Sequence, residues 1–177
     1  MSDARLATKS DLDLAPSGVA ALNRLAPEAA HEALLGCCAS ERWATTMERG
    51  RPYASSDALF DRVDEAFDTL AREDWLQAFA AHAQIGAPRA ADERGAKEQA
   101  GVSEAGSEEL AALRVGNQRY EARFGHVFLV RASGLDAQQM LASLRERLEN
   151  EAEVELEIAA QQQREITRLR LGGLLAS

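Results

Sequence analysis

The sequence predicts an all-α fold, a single compact domain of several helices (residues 1–177) with one short extended segment near residues 126–132. Apolar residues recur every three or four positions through most of the 177-residue chain, which is the period of amphipathic helices. All four prolines lie in the first half, at positions that suit helix boundaries. Only one run, HVFLVRA, has the composition of a strand, and no second run is available to pair with it.

Helices in the first half are marked by proline, serine and glycine. The stretch PEAAHEALLGCC is predicted to be a helix with Pro27 at its first position, where proline is favoured. The next stretch, ERWATTMER, is predicted to end at Gly50. The stretch SDALFDRVDEAFDTL begins at a serine cap and has a buried face at helical spacing, formed by Leu59, Val63, Phe67 and Leu70.

A histidine occupies an aromatic stripe in the following stretch, DWLQAFAAHAQIG. If the helix continues to its end, Trp75, Phe79 and His82 share one buried face. Histidine exchanges a proton near neutral pH, so His82 is a candidate general acid or base. Residue chemistry alone also allows the commoner alternative, a core histidine without a catalytic role.

Residues 86–106 form a long connection rich in glycine, alanine and charge, and long connections are often functional. A short helix is expected at AKEQA. Its KEQ triplet is either a solvated helix face or a carboxylate–amide pair that recognises the N–H and C=O groups of a small heterocycle.

Three helices are predicted after this connection. The first, from SEELAALRVGNQRYEARF, ends at Gly125. The second is capped by Asp136 with Gln139 three residues on, which is a capping box. The third is a long closing helix whose apolar stripe is interrupted by glutamines 161–163.

Composition excludes several classes of function. With 29 acidic and 20 basic side chains, the formal charge of −9 argues against a nucleic-acid partner. No apolar run approaches the ~18–20 residues that span a bilayer, and the N-terminus has no hydrophobic signal core. We therefore expect a cytoplasmic protein without a membrane partner, in which Cys37 and Cys38 are reduced thiols within the second helix.

A metal site is not expected either. The three histidines, His31, His82 and His126, are far apart in the sequence, and neither an HExxH nor a CxxC pattern occurs. His126 is interpreted as a residue at an element boundary. No motif for a nucleophilic serine or cysteine is present.

Five segments, in order and at compatible spacing, resemble one enzyme family, that of 2-oxo-4-hydroxy-4-carboxy-5-ureidoimidazoline (OHCU) decarboxylase. The likeness covers about residues 19–175. In the family, a tryptophan is followed by an Arg-Pro-aromatic step and then by a helix, and SERWATTMERGRPYASSDALF resembles this pattern. The stretch WLQAFAAHAQIG resembles the His-Pro motif that the family has at a helix end. AKEQAGV resembles its Glu-Gln motif, and NQRYEARFGHVFLV its Tyr-x-x-(Arg/Lys)-Phe-Gly segment. The closing helices, with LRERLEN and the final LRL, complete the likeness.

This resemblance implies a cofactor-free, homodimeric carboxy-lyase that converts the ureidoimidazoline to (S)-allantoin in urate degradation. Its partner is then a small-molecule substrate, with no metal. His82 matches the catalytic histidine. The substrate-binding positions are matched by Ala83, Gly95, Glu98, Gln99, Phe128, Leu129, Val130, Arg131 and Ala132.

The sequence departs from the family pattern at several of these positions. Ala83 replaces the proline, Gly95 replaces a serine, and Arg131 stands where a small residue is commoner. A second arginine of the family, slightly further along, has Ser133 in its place. These departures motivate an alternative hypothesis, a helical interaction module that kept the fold and lost the activity.

Overall fold

The computed structural model describes residues 18–85 and 106–176, which form eight helices and, within those ranges, no strand. The helices are α1 (Gly18–Arg24), α2 (Pro27–Leu35), α3 (Glu41–Arg49), α4 (Ser56–Asp68), α5 (Arg72–Ala80), α6 (Ser107–Phe124), α7 (Ala137–Arg147) and α8 (Ala152–Leu175). The predicted all-α class is confirmed. No helix of the described residues is both long and apolar enough to cross a membrane.

Most helix ends lie where side-chain chemistry predicts them. The hydroxyl of Ser40 accepts a hydrogen bond from the N–H of Trp43 at the start of α3, and Ser55 caps α4 in the same way. Asp136 and Gln139 form the predicted capping box of α7. Gly125 ends α6 in the left-handed conformation (φ 76°), which glycine adopts without strain.

The 24-residue helix α8 is the centre of the packing and contacts α1, α4, α5 and α6. Helix α6 packs mainly against α7, and α2 against α3. Two apolar cores result: a larger one among α1 to α5 and α8, which we call the main core, and a smaller one among α6 and α7, the second core. The chain between α6 and α7 runs between these two cores and belongs to neither helix.

Two local predictions were wrong. Helix α5 ends at Ala80, so His82 lies two residues beyond it, is half-buried, and is not on a buried helix face. Helix α2 ends at Leu35, so Cys37 and Cys38 follow the helix instead of lying within it. Both thiols are buried and free, as expected, and burial raises the pKa of Cys38 to about 11.

Candidate functional site

A narrow cleft, with a cavity volume of about 30 Å³, brings together residues that are some fifty positions apart in the sequence. One wall comes from the turn after α5, and the other from residues 127–133, which we call the cleft segment. Ile166 and Leu169 of α8 lie at its edge. Of the predicted site residues, the cleft is lined by His82, Ala83, Phe128, Leu129, Val130, Arg131 and Ala132.

The turn after α5 carries His82 on a short, anchored piece of chain. Phe79 is fully buried in the main core, and its carbonyl accepts the N–H of His82 at 3.0 Å. Three residues later Ile85 is buried in the second core, and its carbonyl accepts from the side chain of Asn117 at 2.7 Å. His82 is therefore held between two fixed points while its ring remains at the cleft.

The cleft segment has the alternation of an extended chain. Val127 and Leu129 pack on the main core, whereas Phe128, Val130 and Ala132 pack on the second core. Successive side chains that point to opposite faces are the mark of extended backbone. The prediction of an extended segment outside any sheet is confirmed.

Two side chains, one from α7 and one from α8, hold the main chain of this segment. The Arg147 guanidinium donates to the carbonyl of Leu129 at 2.6 Å. The side-chain oxygen of Gln162 accepts from the N–H of Arg131 at 2.8 Å. In contrast, among the described residues no hydrogen bond engages the N–H of Val130. The segment therefore has unused donor capacity at the cleft.

The arginine that holds Leu129 belongs to a buried ionic network. Arg147 donates to a carboxylate oxygen of Glu155 through Nε at 2.8 Å and through a terminal nitrogen at 2.6 Å. Glu155 is fully buried, and it also accepts from the Tyr120 hydroxyl and, at 2.8 Å, from Asn150. Burial and the hydrogen bond to Glu155 raise the pKa of Tyr120 well above its usual range, so its hydroxyl stays a donor.

Arg131 is exposed, and among the residues that the structure describes its guanidinium forms no ion pair. The other arginines near the cleft are engaged, since Arg147 pairs with Glu155 and Arg168 with Asp64 at 2.9 Å. Arg131 is thus a positive charge at the cleft that no described carboxylate neutralises. This chemistry suits an anionic ligand.

The histidine that packs among aromatic rings is His126, not His82. Its ring centre lies 5.2 Å from that of Phe79 and 5.4 Å from that of Tyr120, and the residue is 8% exposed. Burial lowers the pKa of His126 below its ordinary value, with Arg147 and Arg72 acting in the same direction. A second cavity beside it, of about 340 Å³ and therefore larger than the cleft, is lined mainly by apolar groups of α5 and the α6 end.

This buried imidazole predicts acid sensitivity of the fold. The unfolded chain takes up a proton near pH 6.5, whereas the folded protein resists protonation of His126 to lower pH. The stabilisation is therefore complete above about pH 6.5 and is lost as the pH falls toward the lowered folded pKa. His126→Phe is expected to flatten the fall in Tm between pH 7.5 and 5.5, measured by thermal unfolding.

The control for this prediction is His31→Gln, which removes a half-buried histidine that pairs with Glu41 at the surface. It should retain the acid-induced fall in Tm. An equal fall in wild type and in His126→Phe would show that His126 is not the titrating group.

The sequence did not identify three residues that hold the cleft segment through hydrogen bonds, directly or through one another: Arg147, Glu155 and Gln162. Arg147 follows Met140 and Leu144 at core spacing on α7, and Glu155 lies in the apolar stripe of α8. The sequence did contain a signal for this pair, because a basic and an acidic residue occupy core-facing positions of two consecutive helices. The predicted positions Gly95, Glu98 and Gln99, with the short helix expected at AKEQA, lie outside the described residues.

Comparisons with known proteins point to one enzyme family. The family model for OHCU decarboxylase matches residues 23–172. A "Uric acid degradation bifunctional protein TTL" of Arabidopsis thaliana is 36% identical over 147 residues, which is 79% of this chain and 45% of that protein. The chain thus spans less than half the length of the plant relative.

Two further matches are nearer to this chain in length. The "2-oxo-4-hydroxy-4-carboxy-5-ureidoimidazoline decarboxylase" of Amia calva is 28% identical over 138 residues, covering 75% of this chain and 79% of that one. A crystal structure described as OHCU decarboxylase in the presence of (S)-allantoin superposes with a TM-score of 0.73 and 36% identity. The superposition covers 83% of this chain and 99% of the crystallised chain.

Proposed function

The chain belongs to the OHCU decarboxylase family, and on that premise we propose that it is a cofactor-independent carboxy-lyase of urate degradation. The substrate is 2-oxo-4-hydroxy-4-carboxy-5-ureidoimidazoline and the product is (S)-allantoin. The observation that carries the proposal is the cleft, which joins His82 and Ala83 to the five positions Phe128–Ala132. The resemblance of the sequence to the family assigns these same residues to one site.

The reaction requires few catalytic groups from the protein because the substrate supplies its own electron sink. Carbon dioxide leaves the ring carbon that carries the hydroxyl, and the electron pair of the broken bond forms a C=C bond to the ureido-bearing carbon. The electron pair of the adjacent C=N moves onto the ring nitrogen, which takes up a proton. A proton is then added to the ureido-bearing carbon, and the hydroxyl loses its proton to become the ring carbonyl. The protein must hold the carboxylate out of the ring plane and direct the proton to one face.

The proposed roles follow from where each group lies. His82, half-buried at the cleft, delivers the proton as general acid, and an imidazole can serve also as base on the hydroxyl. Main-chain N–H groups of the cleft segment and the Arg131 guanidinium meet the negative charge. Glu98 and Gln99 bind the N–H and C=O groups of the ring and the ureido arm, a role that rests on the resemblance.

A role for Arg131 in binding the carboxylate predicts a salt-dependent effect on KM. Arg131→Ala removes the cation and should raise KM, whereas Arg131→Lys should raise it less because a point charge replaces the planar fork. Both increases should shrink at high ionic strength, where exposed charges are screened. Steady-state kinetics at low and high salt measure this.

The matched control is Arg145→Ala, which removes the same charge from an exposed position on α7. It should leave KM near the wild-type value at both ionic strengths. If Arg131→Ala behaves like Arg145→Ala, the Arg131 side chain is a solvated surface group and does not bind substrate.

The function itself is tested in a coupled assay. Urate oxidase and hydroxyisourate hydrolase generate the substrate from urate, and the circular dichroism of (S)-allantoin reports the product. The uncatalysed route yields racemic allantoin, so only an enzyme produces a dichroic signal. Protein dialysed against a chelator should retain full activity. Allantoin that forms at the spontaneous rate without dichroism would favour the alternative, an interaction module of the same fold.

Three further properties belong to the proposal: one domain over residues 1–177, a homodimer, and a cytoplasmic location. The dimer is supported by the resemblance, and the location by the two buried free thiols, Cys37 and Cys38, which suit a reducing compartment. The single domain is supported by the family match over residues 23–172.

A further inference from the structure

We propose that Gln162 of α8 is a positioning residue of the active site, which sets the direction of the main-chain groups in the cleft segment without touching the substrate. The inference rests on the proposed function. Three consecutive glutamines interrupt the apolar stripe of α8, and neither packing nor the predicted site residues explain all three.

The three glutamines have different surroundings. Gln161 is exposed and, among the described residues, its side chain forms no hydrogen bond. Gln163 is fully buried, and its amide donates to the Thr167 hydroxyl at 3.2 Å. Gln162 is half-buried, and its side-chain oxygen accepts the N–H of Arg131 at 2.8 Å. Only Gln162 reaches the cleft segment.

A second main-chain contact lies two residues earlier, where Arg147 donates to the carbonyl of Leu129. In extended backbone the N–H and C=O of one residue point to the same edge, and those of the next residue to the opposite edge. Leu129 and Arg131 therefore present their polar groups to the helices α7 and α8. The N–H and C=O of Val130 consequently point away from those helices.

In this arrangement Gln162 fixes one point of the cleft segment, the main chain at Arg131. The cleft segment has no neighbouring strand within the described residues, so side chains take the place of a sheet in fixing its rotation. Without the Gln162 acceptor, the carbonyl contact at Leu129 remains, but the chain after it can turn. The donors at Val130 and Ala132 then lose their alignment with the ligand, and displacements of about 1 Å in such groups cost up to about 10²-fold in rate.

Three variants test the proposal with (S)-allantoin as the probe, since this neutral ligand is insensitive to an added charge. Gln162→Leu removes the acceptor at similar volume. Gln162→Glu restores it, and Gln161→Leu makes the same change one residue away on the exposed face. We expect Gln162→Leu to weaken (S)-allantoin binding about tenfold or more and to speed hydrogen exchange at the Arg131 amide. Gln162→Glu and Gln161→Leu should match wild type in both measurements.

Two results would overturn the proposal. One is binding by Gln162→Leu that equals binding by Gln161→Leu. The other is binding by Gln162→Glu as weak as that by Gln162→Leu, because the acceptor would then not be the cause. A wild-type protein that neither binds (S)-allantoin nor accelerates its formation contradicts the proposed function instead, and the Arg131 amide exchange still reports whether Gln162 holds the segment.

Discussion

Replacing His82 with alanine is expected to lower kcat by about 10²- to 10⁴-fold, the range for a positioned acid or base. The side chain lies at the cleft and is half-buried, and the backbone that carries it is fixed by Phe79 and Ile85 in two different cores. Because His82 lies outside α5 and is only half-buried, its loss removes no large buried volume. The Tm should therefore stay within a few degrees of wild type.

The control is His31→Ala, which removes a histidine from the exposed pair with Glu41. The coupled assay should give wild-type turnover for this variant. Turnover near the wild-type value in His82→Ala would remove His82 from the mechanism, whatever the effect on KM.

Glu155→Gln is expected to lower the free energy of unfolding by about 3–5 kcal/mol, the cost of leaving one partner of a buried ion pair uncompensated. The carboxylate is fully buried and accepts from Arg147, Tyr120 and Asn150. An amide has one acceptor oxygen in place of two and no charge to balance the guanidinium. Urea unfolding of the variant and of wild type measures the difference.

Two further proteins separate this effect from a general weakness of α8. Glu157→Gln changes an exposed glutamate of the same helix and should alter stability by no more than about 0.5 kcal/mol. The double variant Arg147→Met/Glu155→Leu removes both charges and should lose much less than Glu155→Gln. A double variant as unstable as the single one would mean that packing, not the charge pair, dominates at this position.

Much of the fold could be predicted because local chemistry sets the helix ends. Ser55, the Asp136–Gln139 box and Gly125 each satisfy backbone groups within one turn of their own position, and such signals are legible in a single sequence. The end of α5 was predicted less well. Its last turn lacks a proline or glycine signal, and tertiary anchoring of Phe79 and Ile85 determines where the chain leaves the helix.

The site residues likewise fall into those that the sequence could predict and those that depend on tertiary contacts. His82, Ala83 and the cleft segment could be assigned because the resemblance marks positions that contact substrate. Arg147 and Gln162 bind the segment through hydrogen bonds between residues 18 and 31 positions apart, and Glu155 acts on it through Arg147. No periodicity in the sequence reports such pairs. His126 lies at the boundary after α6, as interpreted, but its burial among aromatic rings was not predicted, since its aromatic neighbours come from two different helices.

The central claim is that His82 and the cleft segment form one ligand site, and amide chemical shifts during titration of ¹⁵N-labelled protein with (S)-allantoin test it most directly. We predict saturable shifts at His82, Ala83, Val130 and Ala132 that follow a single Kd, with small changes at residues far from the cleft such as Asn23. Shifts confined to the neighbourhood of the other cavity, at Leu76, Ala80 and Gly125, would contradict the claim, as would saturation of the two walls at different ligand concentrations.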